Sequence, residues 1–94
     1  MERPRILLVE DDQALATLLA LELKRLNFSV ESAKNEPEAL RRLDAQLYDL
    51  VVTDLRLGQG DGNAVLKASK RAQPEAEVIV ITGHGSIGAA VSAI

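Results

Sequence analysis

The chain has 94 residues, 11 of them basic and 14 acidic, with a net charge of −3, a pI of about 5.1, 47% hydrophobic residues and only 2% aromatic ones. That length suits one small domain with a core of Leu, Val, Ile and Ala, and the acidic balance argues against direct nucleic-acid contact by this segment, which would usually need a basic patch. With no cysteine, a disulfide framework and a thiolate metal site are excluded; no apolar run reaches membrane-spanning length and no signal-peptide pattern opens the chain, so a soluble, cytoplasmic domain without membrane contact is expected.

Ile6-Leu7-Leu8-Val9 is a continuous apolar run, as a strand buried on both faces should be. A helix is expected from Ala14 to Leu26, with Leu15, Leu18, Leu19 and Leu26 at helical spacing. Phe28 to Ala33 is short and alternating, which fits a strand nearer an edge. Asn35 is placed to cap a second helix, with Pro37 in its first turn and Ala39, Leu40 and Leu43 on its apolar face. Leu50-Val51-Val52-Thr53 reads as a third strand. Gly58, Gly60 and Gly62 mark a loop, and Asn63 to about Ala72 a third helix that Pro74 follows. Val78-Ile79-Val80-Ile81 reads as a fourth strand. Gly83-His84-Gly85-Ser86 is a loop, with Ser86 placed to cap a final helix running to Ile94.

This alternation of strand and helix implies an α/β fold with a parallel sheet and helices on both faces. Its crossovers should be right-handed. Ligand sites in such open sheets lie at the carboxyl ends of the strands, where the strand order reverses.

Acids concentrate at those ends. Asp11 and Asp12 follow the first strand, Asp54 the third, and Thr82 follows the fourth. A flavodoxin-like order of 2-1-3-4 makes strands one and three neighbours at the reversal and gathers the three Asp residues in one pocket. Their mutual repulsion is costly unless a cation neutralises it, and hard oxygen ligands at this count suit Mg2+. Taken singly, an Asp after a strand is more often the N-cap of the next helix, and Asp12 is placed to cap the first one. Taken together, the four residues at three strand ends favour the functional reading.

The motifs Val9-Glu10-Asp11-Asp12, Leu50 to Leu57 around Asp54, Asp61-Gly62 and Ile81-Thr82-Gly83 resemble the receiver domain of bacterial two-component response regulators over the whole chain, residues 1–94. Thr82 to Ser86 further resembles regulators that activate sigma-54 promoters. The resemblance implies that Asp54 accepts a phosphoryl group from a phosphohistidine on a sensor histidine kinase. It implies that Asp12 and Asp54 bind Mg2+ directly with the backbone carbonyl of Arg56, that Asp11 acts through a metal-bound water, and that Thr82 donates its hydroxyl to the phosphoryl group. It also implies control of an output domain, transcription-regulatory or DNA-binding, that this chain does not contain. Phosphoryl transfer needs mostly positioning and charge stabilisation, which a metal and fixed donors supply.

Two features depart from the family. Gly58 stands where a proline is usual, and the fifth βα unit, with the lysine that ends its strand, is absent from this chain, which reads as a receiver incomplete at its C-terminus. The fourth strand would then be an apolar edge without charge or proline. The surface beside the first helix would be half covered, and marginal stability with self-association, as a homodimer or by strand exchange, is expected through the fourth-strand edge unless a further segment covers it.

Smaller signals have plainer readings. His84, the only histidine, is expected in solvent. Arg56 is either a surface residue or a guard over the pocket. The three glycines lack the Lys-Ser/Thr ending of a phosphate-binding loop and read as a turn. Two rival functions are an interaction module derived from a receiver and working without phosphorylation, and an aspartyl-phosphate hydrolase of the haloacid dehalogenase type. The hydrolase needs a second Asp two positions after the nucleophile, where this chain has Arg56.

Overall fold

In the computed structural model, residues 3–81 and 90–93 are described. Strand β1 (Arg5–Val9) leads to helix α1 (Gln13–Arg25), β2 (Ser29–Ala33), α2 (Glu36–Ala45), β3 (Leu50–Asp54), α3 (Gly62–Ala72), β4 (Glu77–Ile81) and β5 (Ala90–Ala93). The sheet has the order β2-β1-β3-β4-β5, and its first four strands are parallel. The doubly wound 2-1-3-4 sheet expected from the sequence is therefore present. From β1 the chain passes to β2 on one side and reaches β3 on the other, so the strand order reverses at the carboxyl end of β1.

Each helix starts on a side-chain cap. Asp12 accepts from the Leu15 amide, Asn35 from Glu38 and Asp61 from Ala64, at 3.1, 2.9 and 2.9 Å. Such a cap satisfies one of the N–H groups that the first turn leaves without an intrahelical partner. Helix α1 ends where Asn27 takes a left-handed φ of 75°, a conformation that Asn tolerates better than most residues.

The main core lies on the side of the sheet that α2 and α3 cover. Leu7 and Val9 of β1, Val51 of β3, and Val78 and Val80 of β4 pack there with Ala39 and Leu43 of α2 and Val65 of α3. The alternate residues point to the other side. Ile6 and Leu8 are fully buried, but Leu50, Val52, Ile79 and Ile81 are only partly so. Helix α1 lies over β1 and β2 and seats the small Ala16, its one buried residue. The leucine face read from the periodicity is thus turned largely outward: Leu15, Leu18 and Leu26 are exposed, as is Leu21. A small side chain lets the helix backbone sit close to the strands, and no described helix lies over β3 and β4 on this side to meet the leucines.

The C-terminal end differs from the expected helix. Ala90–Ala93 pairs antiparallel with β4, from Ile81 opposite Ala90 to Val78 opposite Ala93. The physical reason lies in β4 itself. Its apolar backbone edge carries unpaired N–H and C=O groups, and pairing satisfies them. The expectation that this edge is exposed is corrected on the same ground, since β5 occupies the surface through which self-association was expected. Ser86, the expected cap, lies outside the described residues.

Candidate functional site

The carboxyl ends of β1 and β3 build the site. Val9 pairs with Thr53, so the next residues in register are Glu10 and Asp54. Glu10 extends the strand ladder by donating its amide to the Ala33 carbonyl at 3.0 Å, which fixes its side chain in the buried interior. Asp54 is held from below, where the fully buried Thr53 donates its hydroxyl to the Asp54 carbonyl at 3.0 Å. On the far side the Leu55 amide donates to Ile81 at 2.9 Å.

Carboxylate oxygens of Glu10, Asp11 and Asp54 lie within 4.8 Å of one another. They open into a cavity of about 410 Å³ that Asp12, Leu15, Arg56 and Gly58 also line. Burial pushes the Glu10 carboxyl above its ordinary 4.5; the amide of Asp12, which donates to it at 3.0 Å, pulls it back, and the charges of Asp54 and Asp11 push it up again. The Arg56 amide donates to Asp54 Oδ1 at 3.2 Å, which brings the start of the loop after β3 against that carboxylate.

The structure brings together Asp11 and Asp54 from the expected set. Asp12 lines the cavity, but its side chain caps α1, and it is not among the three acids whose oxygens converge. The backbone of Arg56 is beside Asp54. Thr82 and His84 lie outside the described residues. Sequence reasoning missed Glu10. The signal was present in the register, because aligning the ends of the first and third strands places Glu10 opposite Asp54.

The loop glycines are there for close approach. Gly60 has a left-handed φ of 88°, and a Cβ on Gly62 would lie 2.3 Å from the Asp54 carbonyl oxygen. Gly62 thus lets α3 start directly behind Asp54. No helix among the described residues is long and apolar enough to cross a membrane.

Carboxylates alone can bind a hard divalent cation, and the donor set here fits one. It is all oxygen, it is carried on two strand ends fixed by the sheet, and its internal repulsion is relieved by positive charge. A carboxylate at such a site can also serve as a nucleophile toward phosphorus.

Comparison with known proteins agrees with this geometry. The family model described as the response regulator receiver domain matches residues 6–94. The transcriptional regulatory protein GlrR of Escherichia coli (strain K12) is 42% identical over 88 residues, which cover 94% of this chain and 20% of that protein. The chain therefore spans about a fifth of the length of that relative. Among solved structures, a response regulator protein from Burkholderia pseudomallei with a phosphorylated aspartic acid, calcium ion and citrate superposes with a TM-score of 0.83 at 32% identity, covering 89% of this chain and 49% of that one. TrrA from Thermotoga maritima, in complex with Mg2+ and BeF, has a TM-score of 0.81 at 29% identity, with 87% and 71% covered. Two strand ends carrying converging acids, a 2-1-3-4 parallel sheet and a family match over nearly the whole chain lead to one conclusion: this chain belongs to the response regulator receiver domains.

Proposed function

We propose that the chain is the phosphoacceptor module of a phosphorelay and that Asp54 is the residue phosphorylated. The convergence of Glu10, Asp11 and Asp54 at the β1–β3 reversal carries this reading. A carboxylate oxygen of Asp54 attacks the phosphorus of a phosphohistidine on a sensor histidine kinase. The new bond is O–P, the bond broken is P–N, and the electron pair stays with the departing imidazole. Hydrolysis of the aspartyl phosphate then returns the carboxylate. The product state would bias an output domain joined to this segment, transcription-regulatory in keeping with the relatives' names. Thr82, which follows β4, would hold a phosphoryl oxygen through its hydroxyl.

Asp11 and Asp54, with the backbone carbonyl of Arg56, would hold Mg2+, and Glu10 would complete the acid set. Asp12, to which the resemblance gives a direct role, lines the same cavity, and its cap on the Leu15 amide uses only one carboxylate oxygen, so its other oxygen can join the set. Bound there, Mg2+ supplies charge neutralisation for the acids and for the phosphoryl oxygens. The chain's own contribution is to hold Asp54 by its flanking backbone bonds and to keep Leu15 and Leu57 at the pocket wall.

An Mg2+ titration followed by the amide shifts of Asp11, Asp12 and Asp54 tests the reading. One saturable site, lost in Asp54→Ala, is expected. Unchanged shifts at millimolar metal would refute it.

A further inference from the structure

The loop between β3 and α3 is costly to order, since three of the five residues from Gly58 to Gly62 are glycine. Its inner side is tied to the pocket. Gly62 donates its amide to the Leu55 carbonyl at 2.8 Å, Arg56 and Asp61 form an antiparallel bridge, and a Cβ on Gly58 would lie 3.2 Å from Asp11 Oδ2. Its outer side leans on the first residue of α2. The Glu36 amide donates to the Gln59 carbonyl at 3.1 Å, and Glu36 Oε1 accepts from the Asp61 amide at 3.2 Å. Gly60 crosses so close that a Cβ there would stand 2.2 Å from Glu36 Oε1 and 2.4 Å from Glu36 Cβ. Glu36 thus grips the loop two residues apart, with its backbone and with its carboxylate, and it lines neither the cavity nor the acid cluster.

We infer that Glu36 is a positioning residue for the acidic pocket: its carboxylate pins Gly60 and Asp61, and so fixes the loop that sets Arg56 against Asp54 and Gly58 against Asp11. The inference rests on the proposed metal site for its functional consequence. A first-turn acid also has a plain role, favourable interaction with the N-terminus of α2. The two roles part at Glu36→Gln. Glutamine loses the charge but keeps a carbonyl oxygen for the Asp61 amide; Glu36→Ala loses both. Glu36→Met keeps the length of the side chain and offers Asp61 no oxygen, so it serves as a second variant if the alanine form does not fold.

The test uses the 15N-labelled chain in two measurements. Without metal, amide order from Arg56 to Asp61 is expected to be retained in Glu36→Gln and lost in Glu36→Ala and Glu36→Met. With Mg2+, the dissociation constant read from the Asp11 and Asp54 amides is expected to stay within about twofold in Glu36→Gln and to weaken about fivefold to tenfold in the other two, the scale of one hydrogen bond that positions a site. Equal loop order in all three variants overturns the inference, as does an equal change in affinity in all three, which is the helix-terminus result. If the wild-type chain shows no saturable Mg2+ site, the metal reading fails, while the loop-order measurement still decides whether Glu36 is the clamp.

Discussion

Glu10→Gln should stabilise the metal-free protein. Glu10 is 5% exposed, and its carboxylate oxygen lies within 4.8 Å of one on Asp11 and one on Asp54. Two unit charges at that separation repel by about 0.9 kcal/mol in water and about 3.5 kcal/mol at an effective dielectric of 20. Asp11 is exposed and Asp54 half-buried, so solvent screening holds each pair near the lower figure, and removing both repulsions gains on the order of 1–3 kcal/mol. The variant keeps an oxygen to accept from the Asp12 amide, so that bond survives. In a domain of this size about 1 kcal/mol moves Tm by roughly 4–8 °C. The sign with pH follows from the raised Glu10 carboxyl. Between its ordinary value of 4.5 and the raised one, the folded state binds more protons than the unfolded state, so wild-type stability falls as pH rises through that window. The advantage of Glu10→Gln is therefore largest above the raised value and disappears below 4.5. Thermal melts by circular dichroism in chelator, at about pH 7.5 and about pH 4, measure it. A variant that melts no higher than wild type at the upper pH, or that keeps its advantage at the lower one, would refute the claim that the acid cluster is electrostatically strained.

Other outcomes follow from the same structure. Burial and the bond to Glu31 push Tyr48 up to about 12; its phenol donates to Glu31, beside Arg42. Stability should hold to about pH 10 and be lost as pH rises through 12, with the native tyrosinate absorbance titrating in step. A midpoint near 10 would contradict the burial of the ring. Tyr48→Phe should cost about 1.5–3 kcal/mol in chemical denaturation, the range for a bond to a charged partner. Gly62→Ala should cost about 1–3 kcal/mol by overpacking and should weaken Mg2+ binding as well, because the added Cβ meets the Asp54 carbonyl oxygen; unchanged affinity would show that the backbone behind Asp54 does not set the site.

Much of the fold was legible because its signals are local. The four-residue apolar run of β1 reads as a strand buried on both faces, and the structure buries all four. Asn35 and Pro37 mark the start of α2, where the structure has the cap and the first turn. The parallel sheet was read from the alternation of strand and helix, and its 2-1-3-4 order was taken from flavodoxin-like sheets, which the structure matches. What was not legible depended on contacts between distant segments. Ala90–Ala93 is a strand because the β4 edge offers it partners, which short-range periodicity does not register. The outward leucines of α1 follow from which side of the helix reaches the sheet, and Ala16 rather than Leu15 or Leu18 takes that side. The acids at the strand ends were found, and what was missed is that Glu10 converges with Asp11 and Asp54 while Asp12 caps the first helix at the rim of the same cavity. Side chains alternate along a strand, so a one-residue change in where β1 is taken to end decides which acid faces the pocket. Glu10 continues the ladder and points in, and Asp12 starts the helix.

The most direct test of the central claim is intact-mass measurement of the chain after incubation with a small phosphodonor such as acetyl phosphate, with and without Mg2+, for wild type and Asp54→Asn. A single phosphoryl addition to wild type that requires Mg2+ and is absent from Asp54→Asn is expected. An addition that persists in Asp54→Asn, or one that forms equally well without metal, would contradict it.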